Sequence, residues 1–191
     1  MTPDLSRPRA TPPYDILPAV PSFSLTSEDL ADGERMGDRF TAIHENLSPG
    51  LRWSGAPAGT RSFVVSCFDP DAPSPSGWWH WTVVDLPPSA AGLPRGAGES
   101  DDGLAAPAFH VRNDAGTRAW FGPYPPAGDG DHRYVFAVHA LDVDTLGLDE
   151  SASAAAVACQ VSFHALGRAL LTATYSVPGA NAPFITEESH A

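Results

Sequence analysis

The chain has 191 residues, 42% of them hydrophobic and 18% charged, the composition of a single globular domain rather than of a disordered segment. Eleven Lys and Arg face 23 Asp and Glu, and the formal charge of −12 repels nucleic acid and anionic lipid surfaces at long range, so no nucleic-acid partner is expected. Twenty prolines and 17 glycines weigh against a helical protein and suit short strands joined by irregular loops.

Residues 1–21 contain six prolines and no sustained apolar period, the pattern of an extended, partly mobile arm whose end Leu17, Val20 and Phe23 could pin. A short strand is expected at Phe23–Thr26, followed by a turn at Asp32-Gly33. Arg61–Phe68 (RSFVVSCF) is β-branched and aromatic and stops just before a proline, which marks a buried strand. In Trp79–Leu86 (WHWTVVDL) the alternation sends Trp79, Trp81 and Val83 to one face and His80, Thr82 and Val84 to the other. The long stretch from Leu86 to Asp131 is rich in turn formers, with Ala108–Val111 as a short strand inside it, and loops of that length tend to be functional. Arg133–Leu141 (RYVFAVHAL) is a third central strand.

One helix is predicted, capped by Ser153, with Val157, Val161, His164 and Leu166 on one face and Gly167 as its stop. Leu170–Val177 (LLTATYSV) alternates as a half-exposed strand, and residues 178–191 form a polar, acidic tail, leaving 22–177 as the domain. Cys67 and Cys159 belong to no CxxC pair and are expected as buried free thiols. No secretory pattern opens the chain and no apolar run reaches spanning length, so a cytoplasmic, soluble protein is expected.

Three segments carry candidate chemistry. Asp69-Pro70-Asp71-Ala72-Pro73 follows a buried strand, and its prolines hold the chain stiffly extended. Two carboxylates two residues apart in such a chain face opposite ways, so one can line a pocket while the other accepts backbone hydrogen bonds. Gly77-Trp78-Trp79-His80-Trp81 sets an imidazole among indoles, where burial and any approaching carboxylate decide its charge. Gly122-Pro123-Tyr124-Pro125-Pro126 makes a rigid rim, and Asp131-His132-Arg133-Tyr134 then places His132, Tyr134 and Phe136 on one strand face.

In series these segments resemble the phosphatidylethanolamine-binding family, particularly its bacterial Raf-kinase-inhibitor-like branch. The matching stretches are Ser48–Trp53, Pro57–Pro73, Gly77–Pro87, Gly122–Asp142 and, more weakly, Cys159–Gly167. The resemblance implies a mainly β fold, an antiparallel Greek-key β-sandwich with a few peripheral helices, and a small cavity for phosphate, acetate-like anions or a phospholipid headgroup. By motif position it assigns Asp69, Asp71, His80, His132 and Tyr134 to the pocket and Pro125 and Pro126 to its rim. His164 aligns with a helix histidine of many members. Trp120 or Phe121 stands where bacterial relatives carry a Gly-Tyr.

The function expected is a non-catalytic small-anion or phospholipid-headgroup binding protein with a regulatory, kinase-inhibitor-like role and a protein partner. A hydrolase of phosphoesters or esters using the Asp/His pocket is one alternative, although no GxSxG or HExxH pattern is present. An inhibitor of a protease acting through a loop or the tail is another. No cofactor is expected and no metal-ligand spacing stands out, although Asp69, His80 and His132 could gather a metal in space. An anion beside Asp69 would meet about 4 kcal/mol of repulsion at 4 Å and an effective dielectric of 20. A protonated His80 or His132 would offset it, giving tighter anion binding near pH 6 than near pH 8. A homodimer could form through an unpaired sheet edge.

Overall fold

A computed structural model describes residues 5–179. It is mainly β, with two antiparallel sheets and one helix. The smaller sheet orders its strands β1 (Ser24–Thr26), β2 (Leu51–Ser54) and β5 (Gly92–Leu93), with β2 in the middle. The larger sheet runs β6 (Phe109–His110), β4 (Trp78–Leu86), β3 (Ser62–Asp69), β7 (His132–Leu141) and β8 (Ala165–Tyr175). The three longest apolar runs therefore lie side by side. Their Val, Phe, Trp and Tyr content fits a pleated surface buried on both faces.

The main core lies between the sheets, where Trp53 and Leu93 meet Phe63, Val65, Trp81, Phe136 and Leu171. A second cluster covers the other face of the large sheet, where Val64, Val84 and Leu141 pack on Val157 and Val161 of helix α1 (Ala154–His164). The Ser153 hydroxyl caps that helix by accepting the Ala156 N–H at 3.1 Å. The helix stops three residues before Gly167, and Leu166 and Gly167 belong to β8 instead. Gly167 is small for a tertiary reason: a Cβ there would stand 2.8 Å from the Pro57 ring and 3.0 Å from the Pro21 carbonyl oxygen. Cys67 is buried as expected, but Cys159, two positions past inward-facing Val157, is exposed.

The Asp32-Gly33 turn forms and does more than reverse the chain. Its backbone and the segment after it cover the outer edge of β8, with Gly33 N–H on the Thr172 carbonyl at 2.7 Å and Met36 N–H on the Thr174 carbonyl at 2.8 Å. The β8 edge of the large sheet is thus already paired along this stretch. The arm lies against the large sheet: Tyr14 sits under the Arg168 guanidinium, 4.5 Å away, and tilts onto the His139 ring at 5.5 Å. The long segment after Leu86 contains β5, β6 and one short 3-10 turn. It is fastened by Asp101, whose carboxylate takes Nδ1 of buried His110 at 2.7 Å and Arg118 at 2.6 Å. The acidic tail beyond residue 179 lies outside the described residues.

Candidate functional site

β3 ends on Asp69, only 2% exposed, and Pro70 opens the turn that follows. The two carboxylates of this segment diverge as an extended chain requires. Asp69 Oδ1 accepts the Asp71 N–H at 2.7 Å, and Oδ2 meets His132 Nδ1 at 2.7 Å. Asp71 turns to the other side and takes both Nε and Nη2 of Arg133 at 2.7 Å, together with the Arg133 N–H at 3.0 Å. Asp71 does not line the pocket; it fixes the loop that carries Asp69.

His80 owes its position to an irregularity in pairing. Cys67 pairs with Trp81 and Phe68 with Trp79, so His80 is the extra residue of a β-bulge. The bulge reverses the simple alternation. Trp81 and Val83 enter the main core, whereas Trp79 packs on Phe68, ring centroids 4.5 Å apart, and joins the opposite cluster. Bulges commonly re-aim a side chain beside a functional site. Gly77 makes the approach possible: it has φ +64°, and a Cβ there would lie 2.7 Å from the Asp69 carbonyl oxygen.

These elements enclose a pocket of about 390 Å³. Its collar is apolar and partly rigid: Ala72, Pro73, Ala115, Phe121, Tyr124, Pro125 and Pro126. Its polar groups are Asp69, Trp78, His80, His132 and Tyr134. The Trp78 Nε1 and the Tyr134 hydroxyl are buried with no hydrogen-bond partner among the described residues. Such groups carry a desolvation cost until something pairs with them.

The two histidines differ in state. His80 Nδ1 lies against the Phe121 carbonyl oxygen, and burial lowers its pKa, which favours the neutral ring. Burial also opposes protonation of His132, but Asp69 and Asp129 outweigh it and raise its pKa. Both His132 nitrogens face carboxylates, Asp69 at 2.7 Å and Asp129 at 2.9 Å, and since a carboxylate only accepts, the ring is an imidazolium. It has no N–H left for a ligand. Asp129 is in turn gripped by Arg7, Nη1 to Oδ1 at 2.7 Å and Nη2 to Oδ2 at 2.8 Å, which holds its carboxyl below the usual range. Arg7, His132 and Arg133 thus offset Asp69, Asp71 and Asp129, and the repulsion expected from Asp69 alone is largely cancelled by its own neighbours.

Of the residues expected from the sequence, Asp69, His80, Phe121, Pro125, Pro126, His132 and Tyr134 come together. Asp71 stands behind them. Trp120 is buried beside His80, centroids 6.2 Å apart, and its Nε1 donates to the Phe40 carbonyl instead of reaching the pocket. His164 is far from the lining, at the end of α1, paired with Asp142 at 2.9 Å. Sequence reasoning missed Trp78, Asp129 and Arg7. Asp129 stands three residues before His132 in the GDGDHRY run, a spacing that could have drawn notice; no signal pointed to Arg7.

The geometry can be set beside known proteins. Residues 26–176 match the phosphatidylethanolamine-binding protein family. The chain belongs to that family. Escherichia coli YbhB, a UPF0098 protein, is 45% identical over 159 residues, which cover 81% of this chain and 100% of that protein. The crystal structure of E. coli YbcL, described as a new member of the mammalian PEBP family, superimposes with a TM-score of 0.79 at 38% identity, covering 82% of this chain and 99% of that one. A Mycobacterium tuberculosis relative whose name includes the word lipoprotein, LppC, is 33% identical over 178 residues, 87% of this chain and 84% of that protein. The family match begins after the arm, so Arg7 reaches Asp129, behind His132, from outside the matched residues. Among the described residues no helix is long and apolar enough to cross a membrane.

Proposed function

We propose that the protein is a non-catalytic binding protein for a small oxyanion or a phospholipid headgroup, acting in the cytoplasm in a regulatory, kinase-inhibitor-like role. The observation that carries this reading is the pairing of two buried, unpartnered groups, the Tyr134 hydroxyl and the Trp78 indole N–H, inside an apolar collar. Both can donate to an anionic oxygen, and the neutralised ion cluster beneath them removes most of the field that would expel it. The collar, with Tyr124 exposed at its lip, suits the apolar part of an amphiphile. Family membership supports the ligand class, and the net charge of −12 argues against nucleic acid.

Calorimetric titration with inorganic phosphate and phosphoethanolamine tests the reading. Saturable binding that is lost in Tyr134→Phe supports it, and no heat with either ligand refutes it. Turnover of a generic phosphoester that depends on His80, whose neutral ring could serve as a base, would replace binding with hydrolysis. Cell fractionation tests the location; recovery with the membrane, as a lipoprotein-like anchor would give, overturns it.

A further inference from the structure

The arm is anchored near both ends of β7, and only one of those anchors is close to the pocket. At the pocket end Arg7 grips Asp129, Nη1 to Oδ1 at 2.7 Å and Nη2 to Oδ2 at 2.8 Å, and its Nη2 also reaches the Asp71 carbonyl oxygen. Asp129 Oδ2 faces His132 Nε2 at 2.9 Å, and His132 Nδ1 faces Asp69, part of the pocket wall, at 2.7 Å. Midway, Arg133 donates to the Ala10 carbonyl at 2.6 Å. At the far end Tyr14 fills a socket on the outer face of the sheet. Its ring lies 4.5 Å from the Arg168 guanidinium and 5.5 Å from the His139 ring, with buried Ser66 beside its hydroxyl. Leu17 follows into a small cavity against Val157 and Val161 of α1. His132 and His139 are seven residues apart on one strand, about 23 Å, and Arg7 and Tyr14 are seven apart on the arm.

Side chains alone hold this strap. Among the described residues no backbone–backbone hydrogen bond joins residues 5–17 to the domain. The matched family domain starts beyond the arm, at residue 26, and the YbhB match takes in 100% of that protein but 81% of this chain. The arm is thus an addition to a fold that is complete without it, and it can lift as a unit. We propose that the arm is a strap coupled to the pocket, an inference that rests on the oxyanion reading above. Seating Tyr14 in its distant socket delivers Arg7 to Asp129 and tightens oxyanion binding, and a bound oxyanion in turn tightens the seat of the arm.

The two states differ in charge behind the pocket. With the arm seated, Arg7, His132 and Arg133 face Asp69, Asp71 and Asp129, three cations against three carboxylates. With it lifted, two cations remain against the same three carboxylates, and an anion in the pocket meets the surplus. A unit charge about 10 Å from a bound monoanion, at an effective dielectric near 20, changes its affinity by roughly 15-fold. Salt and the open pocket mouth reduce this to about fivefold. Coupling of this kind is reciprocal, so the ligand must favour the seated arm by the same factor.

The experiment is calorimetric titration of inorganic phosphate and phosphoethanolamine into the full chain as wild type, Arg7→Ala, Tyr14→Ala and the double variant. Beside it, the rate at which trypsin cuts after exposed Arg9 is followed with and without saturating ligand. Tyr14 lies outside the pocket lining, yet Tyr14→Ala should weaken binding by about fivefold, as Arg7→Ala does. The double variant should bind no more weakly than Arg7→Ala, because without Arg7 the seating of the arm no longer changes the charge behind the pocket. Tyr14→Phe, which keeps the ring under Arg168 and loses only the hydroxyl, should show a smaller loss. Saturating ligand should slow cleavage after Arg9 in the wild type by the same factor of about five. Wild-type affinity in Tyr14→Ala, losses that multiply in the double variant, or cleavage indifferent to ligand overturns the inference and leaves the oxyanion reading standing. If the wild type binds neither ligand, the oxyanion reading has failed and the coupling falls with it.

Discussion

Asp71 separates the residues that hold the pocket from those that would touch a ligand. Its side chain is 8% exposed and that of its partner Arg133 13%, and the pair makes two charge-assisted contacts of 2.7 Å plus the 3.0 Å bond from the Arg133 N–H. Asp71→Ala removes all three and leaves a poorly solvated guanidinium whose other bond is to the Ala10 carbonyl, at 2.6 Å. Breaking one side of a buried pair costs about 3–5 kcal/mol. The surviving Ala10 contact and the partial exposure place this case near 3 kcal/mol. At about 2–4 °C per kcal/mol for a chain of this length, the melting temperature should fall by roughly 6–12 °C. Combining Asp71→Leu with Arg133→Met should recover much of the loss, because no charge is then stranded. The pKa of Asp71 is lowered overall, since burial raises it but Arg133 outweighs that effect. Stability from the pair is therefore present above the ordinary carboxylate pKa and lost as the pH falls through the lower folded value. Calorimetric melting of the variants between pH 2 and 7, with phosphate titration at pH 6, supplies the numbers. A melting temperature unchanged within 2 °C together with abolished phosphate binding would place Asp71 among the ligand contacts and refute this reasoning.

Other outcomes follow from the same geometry. Gly77→Ala forces a side chain into left-handed backbone and against the Asp69 carbonyl; denaturant unfolding should register a loss of about 2–4 kcal/mol. His132 has a raised folded pKa, so its contribution to stability is complete below the unfolded value and vanishes as the pH climbs through the folded one. His80 behaves oppositely, its contribution fading as the pH falls through its lowered value. NMR titration of the imidazole protons should therefore show His132 titrating above His80, and the reverse order would contradict the assignment of charge. Arg7→Ala frees Asp129 and strips a cation from a balanced cluster; phosphate binding should weaken several-fold, and deletion of residues 1–13 should reproduce the effect.

Much of this architecture was legible because each central strand is an unbroken β-branched and aromatic run, and strands of that kind can be buried only beside one another. β3, β4 and β7 were placed from such runs, and the divergence of Asp69 from Asp71 followed from the period of an extended chain. The facing of Trp79 was not legible, since a bulge is a property of two paired strands and the extra residue, His80, looks ordinary within its own. The helix end was misplaced because Gly167 resembles a helix stop, while its real constraint comes from Pro57 and Pro21, distant in sequence. Arg7 and Asp129 are 122 positions apart and carry no shared pattern. The same holds for the β8 edge, where a segment from the start of the domain covers a strand from its end. Family likeness brought His164 to attention, yet its own helix carries it away from the pocket to Asp142.

The central claim is that an oxyanion group binds where Trp78, His80 and Tyr134 converge. Its most direct test is a thermal-shift titration with phosphoethanolamine at pH 5.5, run on the wild type and on His80→Ala. A ligand at 100 times its dissociation constant adds about 2.7 kcal/mol, or roughly 5–11 °C for a chain of this length. The account predicts a shift of that size in the wild type and little or none in the variant. Equal shifts in both proteins, or none in the wild type at millimolar ligand, would contradict it.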